Sequence, residues 1–182
     1  MIKEDSEFTY LNELASKSKA RKLFDNGLRD LLKVGTLYSL QDIHKFLFEK
    51  VFMHAGELRD ITLESKLNEI EKMPQSNFNQ IVEKYVQMHI AQPFEKGNGI
   101  STRIWLDCMF KNEIYRVVDW TKVNKEEYLF AMENSLLDDS EIKRILKSAL
   151  TFDIDNRKIY MSGIDQSYNF EGINRYKTEE CK

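Results

Sequence analysis

Cysteine is scarce: Cys108 and Cys181 are the two in 182 residues, too few for a disulfide framework and without the spacing of a metal-binding pair. Proline occurs twice and glycine seven times, and with plentiful Leu, Ile, Lys and Glu this favours a mostly helical chain. No apolar run approaches membrane-spanning length, so no membrane partner is expected. The first residues, Met1-Ile2-Lys3-Glu4-Asp5-Ser6, carry no apolar leader core, and the reading is a cytoplasmic protein. The formal charge is only −3, which gives no general reason for a nucleic-acid partner. Repeats, low-complexity tracts and linkers are also missing, so one domain is expected.

What is present is helical periodicity. Residues 11–25 alternate charge with Leu14, Leu23 and Phe24 and predict an amphipathic helix ended by Asn26-Gly27. Ser39-Leu40-Gln41-Asp42 resembles a capping box, opening a helix that turns Ile43, Phe46, Leu47 and Val51 inward and carries His44 as a structural histidine. Leu63, Leu67 and Ile70 recur at helical spacing until Met73-Pro74-Gln75-Ser76, which ends that helix and caps the next. Phe78, Ile81, Val82, Tyr85 and His89 mark this next helix, over 76–91. Further on, Val117-Val118-Asp119-Trp120 reads as a short extended or turn segment. Asn124 with Glu127 caps a helix that carries Tyr128, Leu129 and Met132, and a helix over 139–150 buries Ile142, Ile145, Leu146 and Ala149.

The chain is organised around residues 92–103, Gln-Pro-Phe-Glu-Lys-Gly-Asn-Gly-Ile-Ser-Thr-Arg. Pro93 cannot continue the preceding helix, because it removes a donor and crowds the previous turn. Ile104, Trp105, Cys108 and Met109 then start a helix that is apolar over most of its surface, hence central. Between the two sits Gly97-Asn98-Gly99, whose glycines can take positive φ and leave backbone N–H groups pointing outward at a helix start. That is the geometry of an anion cradle, although such a turn alone is most often an ordinary interhelical connection.

The flanks add information. Pro93-Phe94, Gly97-Asn98-Gly99 and Arg103, at this spacing, resemble the active-site loop of the Fic (Fido) family, which reads His-Pro-Phe-x-(Asp/Glu)-Gly-Asn-Gly-Arg-x-x-Arg. Members of that family transfer AMP from ATP to a hydroxyl side chain of a target protein. Ala55-Gly56-Glu57-Leu58-Arg59 is similar to the family's Ala-Gly-x-x-Arg element, and Ile43-His44 to a pair common among relatives. Ser167, Glu171 and Gly172 resemble the inhibitory helix of the C-terminally self-inhibited subgroup, expected near 160–175. The resemblance spans residues 55–172 and implies an all-α, single-domain Fic fold over 1–182, around a buried central helix pair.

The departures from the family pattern matter most for chemistry. Gln92 stands at the position of the histidine base, which in the family accepts the proton of the target hydroxyl and contributes typically ~10²–10⁴-fold. Lys96 stands at the acidic magnesium-ligand position, where it repels a metal, and Ile100 stands at the first arginine. After Arg59 no strand–turn–strand signal fits before the next helix, so the family's substrate-aligning flap is expected to be missing or cut short. His89 is not a displaced base, since it sits ~4.5 Å too early along its helix, and Glu95 points elsewhere on the loop. The resemblance leaves Gly97, Asn98, Gly99, Arg103 and Lys96 as phosphate- or nucleotide-binding residues. It also implies that Glu171 pairs with Arg103, where ATP would place its γ-phosphate. No metal site is expected, and ATP and magnesium, used by active relatives, are not required here. The expectation is a degenerate Fic protein, impaired in AMP transfer, that keeps weak nucleotide binding and has an unidentified protein partner or target. The alternative is an active transferase that moves AMP or another phosphate-containing group by altered chemistry.

Overall fold

A computed structural model describes residues 10–26 and 33–182. Eight α-helices lie among them: α1 (Tyr10–Asp25), α2 (Leu37–Phe48), α3 (Glu64–Glu71), α4 (Phe78–Ala91), α5 (Asn98–Ile114), α6 (Lys125–Asn134), α7 (Ser140–Ala149) and α8 (Arg157–Phe170). The only strands among the described residues are β1 (Val117–Val118) and β2 (Leu150–Thr151), paired antiparallel with Val117 opposite Thr151. The fold is all-α, as expected. Among the described residues, no helix is long and apolar enough to cross a membrane.

α5 is the axis. Ile100, Ile104, Trp105, Leu106, Met109 and Phe110 are buried, and so are Ser101, Thr102 and Arg103. A helix apolar on nearly every side must be surrounded, and α2, α4 and α8 pack against it. The Trp105 indole N–H points at Thr36 O and Ser39 Oγ, 3.1 Å from each, and pins the start of α2 to α5.

Several helix boundaries and faces differ from the sequence reading. α2 is capped by Thr36, whose hydroxyl accepts from the Ser39 amide, so it starts before the Ser39 capping box. Gly35, at φ 85, turns the chain just ahead of that cap. Leu40 and Phe48 join Ile43 and Leu47 in the core, while Phe46 stays half-buried. α4 is capped by Asn77 rather than by Ser76. The buried face of α1 is Glu13, Ser16, Lys17, Ala20 and Leu23, with Leu14 and Phe24 only partly covered, because this helix packs against polar partners. The expected Gly27 stop lies outside the described residues. Leu129 is 42% exposed although its helical position suggested the core, whereas Tyr128 and Met132 are buried. The Asn124 cap and the inward Ile142, Ile145, Leu146 and Ala149 are as read.

Candidate functional site

The loop between α4 and α5 is held from three sides. α4 ends at Ala91, and Gln92 takes a left-handed conformation at φ 49 before Pro93 turns the chain away. Arg59 closes that end. Its Nε donates to Gln92 O at 2.6 Å, its guanidinium to Ala91 O at 3.3 Å, and its amide to Pro93 O at 2.9 Å. A cation on the last carbonyls of a helix satisfies orphan acceptors and opposes the negative end of the dipole. His44 is the second support. Its Nδ1 accepts from the Gly56 amide at 2.8 Å and its Nε2 donates to Lys96 O at 2.8 Å, so its partners fix the proton on Nε2. The ring stacks on Phe94 at 3.8 Å, and burial lowers its pKa to about 4, so it is neutral at pH 7.

Asn98 is the third. Its side-chain oxygen accepts from the Phe94 amide at 2.8 Å, and its nitrogen donates to Phe94 O at 2.7 Å and to Gln92 Oε1 at 3.3 Å. The Asn98 side chain is therefore a staple across the loop rather than a phosphate ligand. Gln92 also donates to His89 O at 2.8 Å, so its side chain is tied into the end of α4.

The two glycines of the turn serve different ends. Gly97 alone has positive φ, at 76, and a side chain there would strike the Phe48 ring at 2.7 Å. Gly99 is an ordinary helical residue, contrary to the expectation of positive φ at both; its requirement is space. A Cβ on Gly99 would lie 2.1 Å from Glu171 Oε1 and 3.1 Å from both terminal nitrogens of Arg103. α5 opens without a side-chain cap, so its first-turn N–H groups and its dipole favour an anion. The carboxylate of Glu171 lies beside this first turn, over Gly99, and bonds Arg103.

Arg103 lies beneath it, 1% exposed. Nε donates to Ser167 Oγ at 2.7 Å, Nη2 to Ser167 O at 2.9 Å and to Glu171 Oε1 at 2.5 Å, and Nη1 to Tyr128 OH at 3.4 Å. The guanidinium also lies over the rings of Phe170 and Tyr128, at 5.2 and 5.7 Å. Burial works against its charge, and the electrostatic contributions of Tyr128, Glu171 and Tyr85 outweigh burial and raise its pKa. The hydroxyls of Tyr85 and Tyr128 are 2.5 Å apart behind it. Ser167 and Glu171 thus contact Arg103, whereas the Gly172 amide bonds Asn169 O within the end of its own helix. α8 itself spans Arg157–Phe170, shorter than the expected 160–175 at its C-terminal end, with Glu171 as its C-cap.

The remaining positions lie apart from the cradle or differ from what an active site would need. Ile100 is 2% exposed and belongs to the core. Glu95 and Lys96 are exposed on the outer loop. His89 Nδ1 lies 3.4 Å from Thr102 Oγ1, and burial, with Arg103 nearby, lowers its pKa to about 4. Magnesium needs oxygen ligands near its phosphates, and the loop offers an ammonium at Lys96 instead; this donor set does not fit the metal. Sequence reasoning read His44 as structural, which its two hydrogen bonds bear out, but it missed what Arg59, Asn98 and Tyr128 do. Nothing in the sequence pairs Arg59 with carbonyls 32 and 33 positions away, or a tyrosine with an arginine 25 positions away.

No family model matches the sequence. Similar solved structures do exist, and they define the class: the fold is that of Fic domains. BepC, a VirB-translocated effector of Bartonella tribocorum solved with bound AMPPNP, is 16% identical, with a TM-score of 0.63 over 83% of this chain and 92% of that one. The N-terminal Fic domain of a Bep effector from Bartonella quintana, with bound ADP, is 16% identical and reaches 0.68 over 82% and 87%. The Fic domain of Bep5 from Bartonella clarridgeiae is 15% identical, at 0.60 over 88% and 90%.

Proposed function

We propose that this chain is a degenerate member of the Fic family that binds a nucleotide through its phosphates at the start of α5, under control of Glu171, and transfers AMP poorly or not at all. The observation that carries this reading is the carboxylate of Glu171. It occupies the space above Gly99 and bonds the buried Arg103, so the molecule has built a place for an anion and filled it with one of its own. An arginine fork and helix-start amides are the donors a phosphate uses. The nucleotides bound by BepC and by the Bartonella quintana domain, AMPPNP and ADP, support the choice of ligand.

Impaired transfer follows from the chemistry of the loop. Gln92 has no useful basicity, and its amide is already tied to His89 and Asn98. Lys96 supplies positive charge where the family holds a metal, so nucleotide binding is indifferent to magnesium or weakened by it. Asp60 caps a single turn over Ile61–Leu63 that runs directly into α3, leaving no edge strand there to align a target segment. A misplaced reacting group costs ~10²-fold per ångström. The protein then works by binding, with an unidentified protein as partner.

Calorimetric titration with ATP, with and without magnesium, tests the reading on the parent and on Glu171→Gly. The expected result is tighter binding in the variant and no gain from magnesium. Equal affinity in the two proteins would reject control by Glu171. Incubation with labelled ATP checks the chemistry, and transfer comparable to an active Fic enzyme would overturn the loss of activity.

A further inference from the structure

The residues that follow Glu171 are fastened to the first helix. α8 closes in a Schellman arrangement: Gly172, at φ 75, donates to Asn169 O and Ile173 donates to Tyr168 O, each at 3.0 Å. Just beyond, Glu13 of α1 accepts from the amides of Arg175 and Tyr176 at 2.9 and 3.1 Å, both on Oε1. Lys17 donates to Tyr176 O at 2.6 Å and pairs with Glu13 at 2.9 Å and with Asp165 of α8 at 3.3 Å. Asp165 in turn accepts from the Thr178 amide and hydroxyl at 2.9 and 2.7 Å. Tyr168 donates to Ser16 Oγ at 2.7 Å, joining α8 itself to α1.

Glu13 and Lys17 are 1% and 0% exposed. Buried charges are poor stabilisers compared with well-packed apolar groups, yet they fix geometry strongly, since removing one partner strands the other. This cluster sits where α1, α8 and the chain after Glu171 meet. We propose that α1 and residues 175–178 form a latch that holds the Glu171 carboxylate in the cradle, so that displacing α1 opens the phosphate site. The inference rests on the cradle being a phosphate site closed by Glu171.

The latch acts through the last turn of α8. Glu171 is a cap residue with no helix beyond it, so its place depends on the Schellman turn before Ile173 and on the anchored chain after it. With the latch closed, both ends of residues 172–174 are fixed. With it open, the turn frays, Glu171 leaves Arg103, and a larger fraction of molecules is competent to bind phosphate. Apparent affinity scales with that fraction.

The test removes the latch and leaves the cradle intact. Lys17→Met deletes the ammonium and keeps the length of the side chain. Glu13→Gln/Lys17→Met also neutralises the carboxylate left behind and serves if the single variant does not fold. Hydrogen exchange of residues 168–174 and calorimetric titration with ATP are the measurements, each in the parent and the Glu171→Gly background. Exchange should quicken by about tenfold in the last turn of α8 and the tail, and not in α5. ATP should bind about fivefold more tightly in the parent background and no more tightly when Glu171 is already gone. Unchanged exchange in 168–174, or the same gain in ATP affinity in both backgrounds, would overturn the latch. If Glu171→Gly binds no ATP at all, the phosphate reading falls, while the exchange data still decide whether α1 holds the end of α8.

Discussion

Arg103 directs four N–H donors at Ser167, Glu171 and Tyr128. Removing Glu171 takes away one acceptor and leaves the guanidinium bonded to Ser167 and Tyr128. Glu171→Gly should therefore lower the melting temperature without ligand only modestly. The loss is on the order of 1–2 kcal/mol, discounted because the Glu171 side chain is 39% exposed. Addition of ATP should then raise the melting temperature of the variant more than that of the parent, as measured by thermal scanning. His44 makes a separate prediction. Its pKa is lowered to about 4 from 6.5 by burial, so the unfolded chain takes up a proton at a pH where the folded chain does not. Stability from this group is complete above pH 6.5 and is lost as pH falls toward 4, by up to about 3 kcal/mol. Urea titrations across that window should show a steeper loss in the parent than in His44→Gln. His89 and the remaining groups are common to both proteins and cancel in the comparison. Identical slopes would mean that the histidine is not held neutral.

Among the helices, the end of α8 and the start of α5 meet at Arg103. The end of α8 depends on Gly172, whose φ of 75 is costly for any residue with a Cβ, although nothing lies within 4 Å of the place where that Cβ would go. Gly172→Ala should cost about 1 kcal/mol by backbone strain alone. It should also loosen Glu171, read as tighter ATP binding; an unchanged affinity would show that the cap geometry does not set the position of the carboxylate. The start of α5 carries the other constraint. Ile100 is packed in the core, so Ile100→Arg buries a charge with no partner and should destabilise by about 3 kcal/mol or more. Chemical denaturation measures it, and a loss below 1 kcal/mol would mean that the side chain can swing out to the cradle.

For the whole molecule, this makes rewriting the loop costly. Gln92→His, Lys96→Glu and Ile100→Arg together rewrite the loop to the Fic pattern, yet they leave α3 following Asp60 after a single turn. The triple variant should be less stable than the parent and should not modify a protein target when incubated with labelled ATP and magnesium. Robust modification would show that an edge strand at this place is dispensable.

The linear sequence carried the local structure well. Asn124 with Glu127, the stripe Ile142, Ile145, Leu146 and Ala149, and the proline after α4 specify helices through contacts within a few residues, and the folded chain keeps them. Resemblance to the Fic loop brought out Gly97, Gly99, Arg103 and Glu171, and the Fic fold followed. Packing settled the rest. Whether Asn98 faces a ligand or staples its own loop depends on where the Phe94 backbone lies. Whether Gly99 needs positive φ or merely room depends on Glu171, 72 residues later. Periodicity marked α1 as amphipathic, but its buried face includes Glu13 and Lys17, which Arg175, Tyr176 and Asp165 engage. Periodicity records which side of a helix is apolar, but a buried ion pair or a histidine strut is defined by groups that meet only when distant segments pack together.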